Sequence, residues 1–162
     1  GYLNPALQYG FDNFLRDAHA CGIDGLIIPD LPMYDYETFF RQKMEKYDLQ
    51  NIFLVTPQTA EDRIRKIDEL TDAFIYIVSS NAITGGNTDI EQTQHTYFQR
   101  IKEMKLKNPT LIGFGIKDKK TFDTACEYAN GAIIGTAFIN AIDHSKNLKT
   151  DIAKFIQEIK PV

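Results

Sequence analysis

Cysteine is scarce in this chain, with only Cys21 and Cys126 among 162 residues, and both fall on predicted helices far apart in the sequence. Such a pair favours buried free thiols in a reducing cytosol over a disulfide framework. Histidine is equally sparse, because His19, His95 and His144 are the only three. Their positions lack the spacing of a metal-binding motif, so we expect them on the surface and propose no metal site.

Long apolar runs and an excess of positive charge are also missing. No stretch approaches the roughly 18 apolar residues of a membrane span, and the first residues do not resemble a secretory signal peptide. Lys and Arg total 18 against 22 Asp and Glu, and the two signs are interspersed. A nucleic-acid surface would need a basic stripe. We therefore expect a cytoplasmic protein that binds neither nucleic acid nor membranes.

Short apolar segments alternate with amphipathic stretches along the whole chain. No linker or low-complexity segment divides it, which favours a single domain over residues 1–162. Strands that are apolar throughout and alternate with helices indicate parallel pairing with helical crossovers. The predicted strands cover residues 25–29, 51–55, 73–78, 111–114 and 132–134. The predicted helices cover residues 9–21, 34–47, 60–70, 93–106, 117–130 and 148–159, and a further helix begins near 135–136.

The five predicted strands fit two α/β architectures. A doubly wound sheet places its main phosphate loop after the first strand. A β/α barrel often places its phosphate site after the last two strands, and a typical barrel needs about 250 residues. Here the glycine-bearing turns Gly113-Phe-Gly115 and Gly135-Thr136 follow the last two strands. They favour an incomplete barrel, within which this chain supplies a little over half.

Four residues after strand ends are candidates for holding an anion: Gly85, Gly115, Gly135 and Thr136. Glycines let the backbone approach a phosphate closely, and a helix beginning at Gly135-Thr136 would add its positive end. The Thr136 hydroxyl could donate one further hydrogen bond. Each glycine taken alone is equally compatible with a simple tight turn.

Three other side chains lie close to these strand ends. Asp30 stands between two prolines in Pro29-Asp-Leu-Pro32, either as a functional carboxylate or as the N-cap of the helix at Tyr34. Alternation along its strand groups Tyr76 with Phe74 and Val78, so its hydroxyl points into the site or is satisfied in the core. Phe114, between two glycines, packs either on an apolar ligand or in the core.

Taken together, these strand ends resemble the alpha subunit of tryptophan synthase over the whole chain. Tyr2-Leu-Asn-Pro5 is similar to the segment after the third strand of that family, and Gly22 to Pro32 is similar to its fourth-strand signature. Thr84-Gly85 matches its mobile loop after strand six. The glycine turns at 113–116 and 131–136 match its phosphate grip after strands seven and eight.

The resemblance implies a (β/α)8 barrel of the TIM-barrel family, represented here by strands four to eight and their helices. It implies a lyase of tryptophan biosynthesis that cleaves indole-3-glycerol phosphate to indole and glyceraldehyde 3-phosphate by a retro-aldol reaction. An acid and a base are needed, and in the family both are carboxylates on the second strand and the loop after it. Those elements match no part of this sequence, so the principal catalytic carboxylates are expected upstream of Gly1 and the chain alone is expected to be inactive.

The resemblance also assigns roles to residues that are present. Gly85, Gly115, Gly135 and Thr136 would hold the substrate phosphate. The pocket would be lined by Tyr76, a possible catalytic auxiliary, and by Phe114 and Thr84. Tyr2, Asn4 and Asp30 would lie at the pocket rim and on the face that meets the beta subunit. That partner carries the pyridoxal phosphate of an alpha2beta2 assembly, and the chain itself would carry no cofactor.

Two departures from the family pattern occur. Ser79-Ser80-Asn81-Ala82 replaces the usual Ser-Arg-x-Gly before the loop threonine, and Thr136 replaces a serine while keeping the hydroxyl. Two alternatives stay open at this point: a sugar-phosphate isomerase or epimerase on a related barrel, and a non-catalytic half-barrel that acts as an assembly module. A half-barrel leaves open strand edges, so we expect self-association.

Overall fold

The computed structural model describes residues 1–79, 88–113 and 115–160, and within these ranges it describes the side chains of all residues except 88–93. The chain divides into two compact units. The first contains Gly1–Val55 and Thr59–Ile75, and the second contains Thr56–Gln58 and Tyr76–Val162. Among the described residues, no helix is long and apolar enough to cross a membrane.

The first unit opens with two helices. They are α1 (Leu3–Tyr9) and α2 (Phe11–Ala20). The sequence analysis predicted only the second helix. Pro5 falls in the first turn of α1, where its missing N–H removes no intrahelical bond. The segment around Pro5 therefore forms the start of a helix although it contains a proline.

Short parallel strands follow in the first unit. β1 (Gly25–Leu26) pairs with β2 (Gln50–Asn51), so that Gly25 lies opposite Gln50. The single strand predicted over 51–55 is divided, because Leu54–Val55 form a separate strand, β3. The unit ends with α5 (Glu61–Leu70), whose Ile64 and Ile67 are buried. The N-cap of α5 is Ala60, and no side chain caps it.

The helix predicted over 34–47 contains a π-helical turn. α3 (Met33–Asp35) continues through the π turn Tyr36–Phe40 into α4 (Arg41–Glu45). A π turn adds a residue to the helical repeat and shifts the buried face. Tyr36 and Met44 are therefore buried, whereas Phe39 is 59% exposed.

The second unit contains the elements that carry the candidate site. In chain order they are β4 (Ile75–Val78, beginning one residue before the unit), α6 (Thr88–Glu103), β5 (Thr110–Gly113), α7 (Lys119–Tyr128), β6 (Gly131–Ile133), α8 (Thr136–Ile142) and α9 (Leu148–Ile159). The strands lie in the order β4-β5-β6, with β6 last. β5 and β6 run parallel, so their carboxyl ends meet at the same edge of the sheet.

Each strand in the centre of this sheet buries alternate residues. Ile75 and Ile77 of β4 are fully buried, while Tyr76 and Val78 are only partly covered. The predicted grouping of Tyr76 with Val78 is confirmed. Ile112 of β5 is buried as well. In β6, by contrast, every residue is half-buried, as expected for a strand covered on fewer sides.

Candidate functional site

The two glycine turns stand at the ends of neighbouring strands. In the β5–β6 register Leu111 lies opposite Gly131, and Gly113 lies opposite Ile133. β5 ends at Gly113 and β6 ends at Ile133, so Gly115 and Gly135 each come two residues after the end of a strand. Gly115 and Gly135 therefore follow the two strands at equivalent positions on one edge of the sheet. An anion held between two parallel strand ends needs this arrangement of backbone.

The Gly115 turn depends on its glycine. Gly115 has φ of 73°, in the left-handed region that residues with a Cβ enter at a cost of about 1–2 kcal/mol. Gly135, by contrast, has φ of −106°, and a Cβ built there would have no heavy atom within 4 Å. Gly135 and the Thr136 that follows are both exposed. Open space at the start of α8 is thus available to a ligand.

Tyr76 and Gly113 are in close contact across β4 and β5. A Cβ added to Gly113 would overlap the Tyr76 phenol at its Oη, Cζ and Cε1 atoms. Burial raises the pKa of the Tyr76 hydroxyl, which therefore stays protonated at neutral pH and can act as a hydrogen-bond donor. Gly113 was not among the predicted anion ligands. A glycine inside a predicted strand is the sequence signal for such a close approach.

Ser79 joins the ends of the same two strands. Its hydroxyl donates a hydrogen bond of 2.7 Å to the Gly113 carbonyl, and its backbone N–H donates to the same oxygen at 3.1 Å. Ser79 is 3% exposed. The Gly113 carbonyl is thereby held by two donors at the point where β5 enters the glycine turn.

A capping box stands just beyond Gly115. The Asp118 carboxylate accepts from the Thr121 N–H at 2.8 Å, while the Thr121 hydroxyl lies 3.1 Å from the Asp118 N–H and 3.0 Å from the Lys117 N–H. These bonds fix the start of α7. Backbone and side-chain hydrogen bonds from Thr121 lower the pKa of Asp118 below its usual range. Lys117, Lys119 and Lys120 are exposed.

In the first unit, the two predicted rim segments meet at one hydrogen bond. The Leu3 N–H donates to Asp30 Oδ1 at 2.9 Å, and the Gly1 ammonium donates to the Ile27 carbonyl at 2.9 Å. Asp30 thus accepts from the first turn of α1. It does not cap the helix that follows it, since the N-cap of α3 is Pro32 and has no side-chain cap. Tyr2 and Asn4 are exposed beside this bond.

The remaining predicted residues fall into two groups. Thr84, Gly85 and Phe114 lie outside the described residues.

The cysteines are described, and both are free but exposed, so the prediction of buried thiols is wrong. Cys21 directly follows the last residue of α2, and Cys126 lies on a solvent-facing part of α7. His19, His95 and His144 are exposed as predicted. Within residues 1–79, 88–113 and 115–160, no three His, Cys, Asp or Glu side chains are grouped as metal ligands.

The sequence of this chain matches one family over nearly its whole length. A sequence model described as "Tryptophan synthase alpha chain" matches residues 1–161. The chain belongs to the tryptophan synthase alpha chain family. Among relatives of that name, the protein of Bacteroides fragilis is 51% identical over 154 residues, which are 95% of this chain and 59% of the relative. The protein of Bacteroides thetaiotaomicron is 48% identical over 160 residues, 99% of this chain and 62% of the relative.

Solved structures of tryptophan synthase alpha subunits agree in fold. The Campylobacter jejuni subunit is 29% identical with a TM-score of 0.80, over 98% of this chain and 62% of that one. The Pyrococcus furiosus subunit has the same identity and TM-score, over 98% and 63%. The predicted fold class is thereby confirmed: α/β, of the TIM-barrel family, with part of the barrel present. The chain spans about three fifths of the length of these tryptophan synthase alpha relatives. These matches favour the interpretation as a tryptophan synthase alpha chain over the alternative of a sugar-phosphate isomerase or epimerase.

Proposed function

We propose that this chain holds the phosphate of indole-3-glycerol phosphate in the tryptophan synthase alpha reaction, a lyase step of tryptophan biosynthesis. The observation that carries the proposal is the parallel register of β5 and β6. Gly115 comes two residues after the end of β5, and Gly135-Thr136 begin two residues after the end of the neighbouring β6, which supports the proposal. Backbone N–H groups at such a point bind a phosphate dianion without any basic side chain. Gly85, which precedes α6, would add a third contact from the loop after β4.

The cleavage is a retro-aldol reaction. An acid protonates the indole ring carbon, and a base removes a proton from the glycerol hydroxyl or the indole nitrogen. The carboxylates that the resemblance implies for these roles match no residue of this sequence. We therefore propose that the chain binds and orients the substrate. By the family resemblance, Tyr76 would be an auxiliary donor at the pocket wall, and Phe114 and Thr84, which lie outside the described residues, would also belong to the pocket.

The proposed partner is the tryptophan synthase beta subunit. Tyr2, Asn4 and Asp30 are the candidates for its contact face, because two of them are exposed beside the Leu3–Asp30 hydrogen bond and Asp30 makes that bond. Pyridoxal phosphate belongs to the beta subunit, so this chain needs no cofactor of its own. The assembly would be alpha2beta2 and cytoplasmic.

A phosphate titration tests the grip directly. The affinity of the chain for glycerol phosphate and inorganic phosphate would be measured by NMR, with the Gly135→Asp variant beside the unsubstituted chain. A carboxylate there repels the dianion, and at about 4 Å the repulsion weakens binding about tenfold or more. Asn140→Asp is the matched control, since it adds the same charge at an exposed position of α8 away from the proposed phosphate contact. Equal affinities of Gly135→Asp and the unsubstituted chain would remove the grip from the proposal.

A cleavage assay tests whether this chain binds the substrate without carrying out the acid–base chemistry. We expect no turnover of indole-3-glycerol phosphate by the chain alone. Turnover would show that carboxylates within these 162 residues perform the acid–base chemistry, and Asp30 would then be the first candidate. If the chain neither binds phosphate nor turns over substrate, the alternative of a non-catalytic assembly module gains support.

A further inference from the structure

Ser79, the residue directly after β4, makes two hydrogen bonds to the end of β5. A carbonyl oxygen has two lone pairs, and the Gly113 carbonyl accepts from the Ser79 N–H at 3.1 Å and from the Ser79 hydroxyl at 2.7 Å. The N–H bond is the contact expected of a neighbouring parallel strand. The hydroxyl bond is additional, and it is made by a side chain that is 3% exposed.

The hydrogen bond from the Ser79 hydroxyl is made to a residue that lies two positions before Gly115, so it bears on the conformation of the Gly115 turn. Gly113 has no side chain, and its Cα face is covered by the Tyr76 ring. Packing of a side chain therefore cannot orient the Gly113 peptide group, and orientation depends on what its carbonyl contacts. Two residues later the backbone enters the left-handed conformation of Gly115. Any rotation of the Gly113 carbonyl would be carried directly into that turn.

We infer that Ser79 is a positioning residue of the phosphate grip. It does not touch the phosphate, but its hydroxyl fixes the Gly113 carbonyl and so keeps the N–H groups of the Gly115 turn aimed at the ligand. This inference rests on the proposed function, because it takes the Gly115 turn to be a phosphate ligand. Neither the family match nor the motifs of the sequence assign this role to Ser79.

Ser79→Ala removes the hydroxyl and leaves the backbone N–H bond in place, so the strand pairing is kept. The affinity for inorganic phosphate would be measured by NMR titration of the chain under conditions in which circular dichroism shows it folded. We expect the affinity to fall about threefold to tenfold, the equivalent of one neutral hydrogen bond. The amide exchange of Gly115 should rise in the same variant. Ser79→Thr retains the hydroxyl and should restore both values.

Thr124→Ala is the matched control. The Thr124 hydroxyl also donates to a backbone carbonyl, that of Lys120 at 3.0 Å, but it does so on the exposed side of α7. Its loss should change neither the phosphate affinity nor the exchange of Gly115. If Ser79→Ala does not fold, Ser79→Cys provides a variant of similar size with a weaker donor, and the same loss of affinity is expected from it.

The outcomes separate the inference from the proposed function. If the unsubstituted chain binds phosphate and a folded Ser79→Ala or Ser79→Cys binds it equally well, the inference is overturned and the grip stands. If Ser79→Ala loses affinity and Ser79→Thr restores it, the inference is supported. If the unsubstituted chain does not bind phosphate at all, the proposed function fails and the inference fails with it.

Discussion

The Tyr76 phenol occupies the space that a Cβ on Gly113 would need. Its Oη, Cζ and Cε1 atoms all lie within that space. The large side chain of Tyr76 on β4 therefore fits against β5 because Gly113 has no side chain. This pairing places a protonated tyrosine hydroxyl on the half-buried face of β4, beside the predicted phosphate site.

Substituting Gly113 by alanine should displace Tyr76. Because the overlap involves ring atoms as well as the hydroxyl, Tyr76→Phe should give no relief. Overpacking of this kind costs about 1–3 kcal/mol of the free energy of unfolding, which urea denaturation measures. Gly135→Ala is the control and should change stability by less than about 0.5 kcal/mol, because no atom lies near its Cβ.

A double-mutant cycle identifies the cause of the Gly113→Ala effect. Tyr76→Ala opens the space, so adding Gly113→Ala to it should cost less than Gly113→Ala does alone. The coupling energy should be about 0.5–3 kcal/mol. Additive effects of the two substitutions would show that the two residues do not compete for space.

Asp30 should contribute to stability through α1. Asp30→Ala leaves the Leu3 N–H without its acceptor, and a lost acceptor at a helix start costs about 0.5–2 kcal/mol. Asp30→Asn keeps an oxygen at the same place and should retain most of this stability. Thermal unfolding followed by circular dichroism measures both. If the two variants were equally destabilised, the charge of Asp30 would matter more than its acceptor oxygen.

The capping box of α7 should make stability depend on pH. The pKa of Asp118 is lowered in the folded state by its hydrogen bonds from Thr121. Its contribution is therefore complete above the ordinary aspartate pKa of about 3.9, and it is lost as the pH falls through the lower folded value. Asp118→Ala should lower stability at neutral pH by about 0.5–2 kcal/mol.

The same variant should flatten the acid limb of the stability curve. Stability would be measured by urea unfolding at a series of pH values from neutral to acid. Asp123→Ala serves as the comparison, since its carboxylate pairs with Lys119 on the exposed helix surface and not with the backbone. An unchanged acid limb in Asp118→Ala would assign the pH dependence to other carboxylates.

The chain should self-associate as a purified species. β6 is the last strand of its sheet and is only half-buried, and the helices after it expose Ile139, Leu148 and Ile156 by more than half. An open strand edge next to exposed apolar side chains favours pairing with another chain. Light scattering at micromolar concentration should show species larger than a monomer.

Replacing two of these side chains by charge tests the surface responsible. Leu148→Lys together with Ile156→Glu should shift the scattering toward the monomer. Tyr34→Lys is the comparison, since it removes an exposed aromatic side chain from the first unit. A uniform monomer in the unsubstituted chain would contradict the prediction.

Most regular elements of the second unit were predictable from the sequence, although α6 begins five residues before its predicted start, and contacts between distant residues were not predictable. β4, β5, β6 and α9 lie within about two residues of their predicted positions, because apolar runs bounded by turn residues report strand and helix periods directly. The π turn at Tyr36–Phe40 interrupts the helical period, so the exposure of Phe39 does not follow from the spacing of apolar residues. The hydrogen bond from Leu3 to Asp30 spans 27 residues, and no local pattern signals it.

The candidate site divides in the same way. The glycines after β5 and β6 were predictable, because a parallel sheet brings its strand ends together and glycine marks close backbone approach. The close contact between Gly113 and the ring of Tyr76 on the neighbouring strand was not predicted. A sequence gives the type of residue at each strand end, but the partner across the sheet follows only from the register.

The hydrogen bonds of Asn130 determine where an insertion or deletion would change the alignment of the two glycine turns. Its side-chain oxygen accepts from the Thr110 N–H at 2.9 Å, while its own N–H donates to the Thr110 carbonyl at 3.0 Å. These bonds lock β5 and β6 together at the end opposite the turns. An insertion or deletion between Asn130 and Gly135 would move one turn past the other and separate the halves of the grip. An insertion or deletion between Tyr128 and Asn130 would lie before the hydrogen-bonded pair of Thr110 and Asn130, and the alignment of the two turns would be kept.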